Sequence, residues 1–131
     1  MTVYGYIGLG NMGAAMAGRL VESGHDVRVY DVDAERVATV VAAGATAASS
    51  ATEVGAVADV VSICVPAAHH ITSVLTGSGG LAESARPGQT ILVHSTVAPE
   101  TMIAAAADAA TFGARLFDAC IAGGVESARI G

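Results

Sequence analysis

The sequence predicts an α/β domain in which parallel strands form one sheet with helices on both faces. Three observations lead to this fold class. Apolar runs of strand length alternate with segments of helical spacing, which is typical of β-α-β units. The glycine-rich turn Gly8-Leu9-Gly10-Asn11-Met12-Gly13 joins the first strand to the first helix. Residues 60–65 form an apolar, mostly β-branched run, as in a strand that is buried on both faces.

The composition fits one compact domain. The chain has 131 residues, of which 53% are hydrophobic and 14% charged, so it can bury a core. A net charge of −6, with six arginines and no lysine, argues against a nucleic-acid or anionic-membrane partner. No apolar run reaches the length of a membrane span, and the start of the chain lacks the basic residues of a secretory signal. Cys64 and Cys120 form no Cys-x-x-Cys pair, so we expect buried free thiols and a cytoplasmic location.

The first half of the chain contains three strands and three helices by pattern. Met12, Met16 and Leu20 recur every four residues after the glycine-rich turn, and Asp33 is a plausible N-cap for the second helix. The predicted elements are a strand at 3–7, a helix from 11 to a stop at Gly24, a strand ending at Tyr30, a helix at 34–43, a short edge strand within 45–50 and a short helix at 52–58.

The second half continues the alternation. Pro99 suits the first turn of a helix, and the alanine-rich run after it has high helix propensity. The predicted elements are a strand from 59 to 65, a helix at 67–76, a helical turn at 81–85, a strand at 90–94, a helix from 99 to about 111 and a last strand at 115–118.

The glycine-rich turn predicts a phosphate site. Gly8 permits a sharp turn, Gly10 lets the backbone approach a pyrophosphate, and Gly13 lets the helix pack closely. The amides of Asn11 and Met12 open the helix, where N–H donors without partners attract an anion. The motif alone also occurs as an ordinary glycine-rich turn of α/β proteins, so its context decides.

Asp31 supplies that context. It follows the run Val27, Val29 and Tyr30, and an acidic residue at the end of the second strand accepts hydrogen bonds from the hydroxyls of an adenosine ribose. The same carboxylate repels a 2′-phosphate, and Val32 and Asp33 offer no cation. NAD is therefore the predicted cofactor, in preference to NADP.

Ligands of parallel sheets bind beyond the carboxyl ends of the strands. The groups that follow the predicted strands are Gly8 to Met12, Asp31, Val65-Pro66, Ser95-Thr96 and Ala122 to Gly124. We expect all of them at one edge of the sheet.

With these groups in view, the chain resembles the β-hydroxyacid dehydrogenases, the superfamily of 3-hydroxyisobutyrate, tartronate-semialdehyde and 6-phosphogluconate dehydrogenases. GYIGLGNMGAAMAGRL (5–20) is similar to the family's cofactor signature, and CVP (64–66) to its Leu-Pro loop. GLAESARPGQTILVHSTVAPET (80–101) resembles its middle block and DACIAGG (118–124) its substrate block. The resemblance implies a Rossmann-type, doubly wound α/β/α sandwich over 1–131, the cofactor domain of an oxidoreductase that acts on the CH–OH group of a β-hydroxyacid.

The resemblance also implies roles for individual residues. Asn11 and Met12 would hold the pyrophosphate, Val65 and Pro66 would line the nicotinamide-ribose side, and Thr96 would touch the nicotinamide end. Ser95 and the glycines after Ala122 would face the substrate carboxylate. The predicted cofactor residues are Gly8, Gly10, Asn11, Met12, Gly13, Asp31, Val65, Pro66, His70 and Thr96, and the predicted substrate residues are Ser95, Ala122, Gly123 and Gly124.

Three departures from the family pattern bear on activity. Ala122 replaces the usual Ser, Cys120 replaces a Pro, and the family's catalytic lysine, which follows this segment on a helix leading to a helical C-terminal domain, has no counterpart here. We therefore expect either an excised or truncated cofactor domain, with no catalytic residue of its own, or a protein that is not an active dehydrogenase.

Other function classes stay open or are disfavoured. A non-catalytic NAD-binding module, acting as a sensor or subunit partner, and a domain for another adenine nucleotide such as S-adenosylmethionine are the alternatives. The histidines His69, His70 and His94 lack the spacing of a zinc site, and there is no G-x-S-x-G elbow of a hydrolase. We expect a homo-oligomer, with no metal, nucleic-acid or membrane partner.

Overall fold

The structure, a computed structural model, describes residues 1–131. Its strands are β1 (Val3–Ile7), β2 (Asp26–Tyr30), β3 (Thr46–Ala47), β4 (Val60–Ile63), β5 (Thr90–Val93) and β6 (Arg115–Asp118). Its helices are α1 (Asn11–Glu22), α2 (Ala34–Ala42), α3 (Ala51–Val57), α4 (Ala68–Thr76), α5 (Pro99–Thr111) and α6 (Gly124–Ile130), with a short 3₁₀ helix at Leu81–Glu83.

All six strands are parallel and form one sheet in the order β3-β2-β1-β4-β5-β6. The order reverses between β1 and β4, which is the switch point of a doubly wound fold. Strand ends are also in register, because Ile7 pairs with both Tyr30 and Ile63, and Val93 pairs with both Ile63 and Asp118. The segments that follow these strands therefore share one edge, and the predicted fold class is confirmed.

Helices cover both faces of the sheet, and each face has its own core. Ile63 and Ile91 are buried on the face covered by α3, α4 and α5. Tyr6 and Val29 are buried on the opposite face, beneath α1 and α2. Alternate residues of the central strands enter the two cores, which explains the nearly continuous apolar run in β4.

The helix starts differ in how their amides are satisfied. Asp33 caps α2 by accepting from the Glu35 amide, as predicted, and Ser50 caps α3 by accepting from the Glu53 amide. α1 begins after Gly10, which has no side chain to offer as a cap. The helix that opens from the glycine-rich turn thus presents free donors toward the carboxyl edge of the sheet.

Two features differ from the sequence-based expectations. The pattern predicted no helix after Gly124, yet α6 forms there and packs on α1. Its seven residues are too few for a clear helical period, which is why the pattern missed it. Cys120 was expected to be buried but is exposed, because it lies in the loop after edge strand β6 and not within a strand. None of the helices combines the length and apolar character needed to cross a bilayer.

Candidate nucleotide site

The site begins where β1 and β4 end side by side. Gly8 follows β1 with a φ of +91°, a conformation that side chains disfavour. A Cβ added to Gly8 would overlap the backbone carbonyl of Cys64, which follows β4. This position therefore requires glycine for two reasons, and the contact brings the glycine-rich turn against the start of the Val65-Pro66 loop.

Gly13 is closely surrounded by protein atoms, whereas Gly10 lies beside open space. A Cβ on Gly13 would overlap the carbonyl of Gly8, so this glycine closes the turn against the first turn of α1. Nothing lies within 4 Å of a Cβ built on Gly10, whose φ of −62° suits any residue. The space above Gly10 is open, as an approaching ligand phosphate requires.

A cavity of about 620 Å³ spans this turn and both flanking strand ends. It is walled on one side by the segment after β2 and on the other by α4 and the loop after it. Of the predicted cofactor residues, the structure brings nine together in its lining: Gly8, Gly10, Asn11, Met12, Gly13, Asp31, Val65, Pro66 and His70. The cavity is mostly apolar, and it includes the first residues of α1, whose amides can bind the phosphates of a nucleotide.

Asp31 is bound firmly within this wall. Its side chain is 7% exposed, its Oδ2 accepts from the Leu9 amide at 2.6 Å, and its Oδ1 accepts from the Asp33 amide at 2.8 Å. Two oxygens offer about four acceptor positions, so two hydrogen bonds leave capacity for a ribose hydroxyl. Asp31 thereby joins the end of β2 to the glycine-rich turn.

Arg36 is a residue of this wall to which the sequence pattern assigned no role. Its Nη1 lies 3.9 Å from Asp31 Oδ2 and its Nε lies 3.5 Å from Asp33 Oδ2. It lines the 620 Å³ cavity and also a neighbouring cavity of about 770 Å³ between α1, α2 and α6, which Arg129 lines as well. The sequence feature that could have indicated this role is the position of Arg36, three residues after the Asp33 cap. A side chain in the first turn of a helix points back toward the preceding segment, here the end of β2.

His70 contributes the wall on the β4 side. It lies in the first turn of α4, and its Nδ1 is buried without a hydrogen-bond partner. Ser73, Val74, Ser78 and Gly79 continue this wall, and no sequence motif pointed to them.

Ser95 is buried beneath the Val65-Pro66 loop. Its hydroxyl donates to the Val65 carbonyl at 2.6 Å and accepts from the Val65 amide at 3.1 Å. Both bonds fix the loop that follows β4 to the end of β5. Ser95 acts here on the backbone of a cavity residue and does not line the cavity itself.

The remaining predicted residues lie along the same edge, next to the cavity. Thr96 is exposed, and its Oγ1 is 3.1 Å from Cys120 Sγ in the loop after β6. Ala122, Gly123 and Gly124 are exposed in that loop, with φ of +96° at Gly123 and +74° at Gly124. None of these residues lines the 620 Å³ cavity, so they form a second group at its β5-β6 side.

Cys64 is the thiol of the site, and burial raises its pKa. It therefore stays protonated at neutral pH and packs as a small apolar side chain. No group of three or more His, Cys, Asp or Glu side chains lies close enough together to hold a metal ion.

Comparison with known families identifies this arrangement. A family model described as the NAD binding domain of 6-phosphogluconate dehydrogenase matches residues 3–131. The chain belongs to this family. The chain is thus an NAD-binding domain of the β-hydroxyacid dehydrogenase superfamily.

Relatives within the family are similar over the whole chain. The 3-hydroxyisobutyrate dehydrogenase of Pseudomonas aeruginosa is 40% identical over 131 residues, which are 100% of this chain and 44% of that protein. A structure of Mycobacterium tuberculosis 3-hydroxyisobutyrate dehydrogenase with L-serine has a TM-score of 0.93 at 33% identity, over 99% of this chain and 44% of its own. Psf3 in complex with NADP⁺ and 2-OPP has a TM-score of 0.91 at 30% identity, over 97% and 45%. The chain spans less than half the length of these relatives.

Proposed function

We propose that this chain is the cofactor-binding domain of an NAD-dependent oxidoreductase that oxidises the CH–OH group of a small β-hydroxyacid. The observation that carries the proposal is the single cavity shared by the glycine-rich turn, Asp31 and the segment from Val65 to His70. The bound nicotinamide would accept a hydride from the substrate carbon. The residues of this chain hold and orient the cofactor for that step.

The cavity fits a dinucleotide in a defined direction. The open space over Gly10 and the uncapped start of α1 suit the pyrophosphate. The ribose next to the adenine would meet Asp31, and the adenine would lie between Val32 and the α4 wall. The other half of the cofactor would pass Val65 and Pro66 toward Thr96, where the hydride is exchanged.

We propose NAD as the preferred cofactor. The Asp31 carboxylate, which is only 7% exposed and accepts hydrogen bonds from two backbone amides, would repel a 2′-phosphate. Arg36, 3.9 Å from that carboxylate, weakens the repulsion without cancelling it, since it also pairs with Asp33. Because the similar structure of Psf3 holds NADP⁺, the fold alone does not select NAD, and the proposed preference rests on the residues after β2.

The loop after β6 is the part of this chain that we propose to contact the substrate. Gly123 and Gly124 have exposed backbone at the carboxyl edge, where amides can bind a carboxylate. Ala122 contributes no hydroxyl, so we propose weaker substrate contacts here than a serine would give. L-serine in the related Mycobacterium tuberculosis structure is a small hydroxyacid of the proposed class.

We further propose that the 131-residue chain binds NAD without turnover. Hydride transfer from an alcohol needs a proton acceptor within hydrogen-bond reach of its oxygen. The resemblance assigns that role to a lysine, and this chain has none. The alternative of a non-catalytic NAD-binding module makes the same prediction for the isolated chain.

Assembly and location complete the proposal. The exposed edge of β6, with Phe117 49% exposed, is an apolar surface that favours self-association, so we propose a homo-oligomer. The free thiols Cys64 and Cys120 favour the cytoplasm.

NAD titration by calorimetry and an NADH absorbance assay with 3-hydroxyisobutyrate, glycerate, L-serine and 6-phosphogluconate test the proposal. We expect saturable NAD binding and no turnover by the 131-residue chain. If a longer protein contains this chain, the same panel assayed with that protein should give NADH from at least one hydroxyacid. Absence of NAD binding would refute the cofactor site, and turnover by the 131-residue chain would show that it carries its own acid-base group.

A further inference from the structure

His94 lies outside the cavity, yet its ring contacts three different parts of the sheet. Its Nδ1 is 2.9 Å from the carbonyl of Ala119, and its Nε2 is 3.0 Å from the hydroxyl of Ser62 in β4. Its ring stacks on Tyr6 of β1, with ring centres 6.0 Å apart and planes 11° from parallel. Ser62 and Tyr6 are both buried, so the ring of His94 has a firm support.

These partners fix the hydrogen on the imidazole. A backbone carbonyl only accepts hydrogen bonds, so Nδ1 must carry the hydrogen and donate to Ala119. In the neutral ring, Nε2 then accepts from the Ser62 hydroxyl. Turning the ring over would break both hydrogen bonds, so the side chain is held in one orientation.

The residue that His94 holds is the first of the loop after β6. The amide of Ala119 donates to the Val93 carbonyl at 2.8 Å, while its carbonyl accepts from His94. The next residue, Cys120, contacts the Thr96 hydroxyl through its thiol. Three contacts therefore hold this loop against the end of β5. The contact from His94 is made by a ring that packs on buried residues.

We propose that His94 is a positioning residue for the loop at 119–124, which we call the substrate loop. The inference rests on the proposed function, because it assumes that this loop and Thr96 face the nicotinamide end of the cofactor. His94 sets the distance between Ala119 and the central strands, and thereby the place of Cys120 against Thr96. It acts through the backbone of Ala119 and touches neither cofactor nor substrate.

The roles of the two ring nitrogens of His94 can be tested separately by substitution. In His94→Asn the side-chain amide nitrogen can stand near the position of Nδ1 and donate to Ala119, whereas in His94→Gln it reaches the position of Nε2 and loses Ala119. Ser62→Ala is the matched control, since it removes the partner of Nε2 and keeps the donor to Ala119.

Two measurements on the 131-residue chain and its variants report the effect of these substitutions. Amide hydrogen exchange reports the order of the substrate loop, and calorimetry compares NAD with ADP-ribose, which lacks the nicotinamide. We expect His94→Gln to speed exchange at 120–124 roughly tenfold and to weaken NAD about three- to tenfold, with ADP-ribose unchanged, as for one lost hydrogen bond. His94→Asn and Ser62→Ala should stay within about threefold of the original chain in both readouts.

The outcomes separate this inference from the proposed function. Binding of neither nucleotide by the original chain refutes the cofactor site, while the exchange data still judge the tie to Ala119. Unchanged exchange in His94→Gln, or an equal loss of NAD and ADP-ribose binding, overturns the positioning role. Should His94→Gln not fold, the nitrogen NMR shifts of His94 in the original chain decide, because hydrogen on Nε2 alone contradicts the donor to Ala119.

Discussion

The carboxylate of Asp31 accepts a hydrogen bond from the Leu9 amide at 2.6 Å, across the gap between the ends of β2 and β1. The residue proposed to bind the ribose is thus also part of the turn proposed to bind the pyrophosphate. Binding and local structure are coupled here, because any change at Asp31 also frees an amide of the glycine-rich turn. Substitutions in this region must therefore be read with a stability measurement beside the binding measurement.

Cofactor preference is the first prediction. We expect the original chain to bind NAD about 10- to 100-fold more tightly than NADP, because the 2′-phosphate meets a carboxylate and removes a hydrogen-bond donor. Asp31→Asn should narrow that ratio, with some loss of stability. Arg36→Gln, the control on the opposite charge, should widen it. Calorimetric titration with both cofactors measures the ratio, and equal or tighter binding of NADP by the original chain contradicts the assignment.

The substitution Gly10→Val tests the proposed pyrophosphate space without a change to the fold. The conformation of Gly10 suits any residue and no protein atom lies near its Cβ position, so the domain should fold normally. The valine side chain would occupy the phosphate space and abolish NAD binding. Gly18→Val, within α1, is the matched control, because the Cβ position there is also open. Circular dichroism and calorimetry check both variants, and normal NAD binding by Gly10→Val would show that the phosphates lie elsewhere.

Ser95→Ala tests the tie beneath the Val65-Pro66 loop. The substitution removes both hydrogen bonds to Val65 and leaves its backbone groups without a partner at a buried position. We expect a loss of about 1–3 kcal/mol in the free energy of unfolding. Ser73→Ala, at an exposed serine of α4, should change it by less than about 0.5 kcal/mol. Urea unfolding measures both, and equal effects would mean that the tie does not stabilise the domain.

We expect the carboxyl of Asp59 to account for part of the loss of folding stability at acid pH. The Val3 amide, aided by Arg86, holds the pKa of this carboxyl below its ordinary value of 3.8. Since the folded-state pKa is lowered, the stabilisation is present above about pH 4 and is lost as pH falls through the folded pKa. Asp59→Asn should therefore be less stable than the original chain near neutral pH, and the difference should shrink in acid. Urea unfolding at several pH values measures this, with Asp108→Asn as a control, and a difference that does not vary with pH contradicts it.

The sequence predicted the fold well because local and global signals agree. The glycine-rich turn, the Asp33 cap and Pro99 at the start of α5 each mark an element boundary by a local mechanism, and the structure has all three where expected. α6 escaped prediction because it is short and its packing on α1 is a tertiary effect. Cys120 was wrongly expected to be buried, because residue type alone does not show that it lies in the exposed loop after β6.

The candidate site was predictable where residues follow strands, and not where helices supply the wall. Asp31 and Val65 were found by the rule that ligands bind at strand ends. Ser73 reaches the cavity from a helix surface, which no pattern in one sequence reveals, whereas Arg36 reaches it from the first turn of α2, next to the Asp33 cap that the sequence did indicate. The buried tie from Ser95 to Val65 was also invisible, since it depends on two loops meeting in space.

The central claim is that NAD lies over the glycine-rich turn between Asp31 and the Val65–His70 segment. An amide NMR titration of the 131-residue chain with NAD tests it most directly. We predict saturable shifts at Gly8 to Gly13, Asp31 and Val65 to His70, with the amides of α5 unchanged. No shifts, or shifts confined to residues outside that cavity, would contradict it.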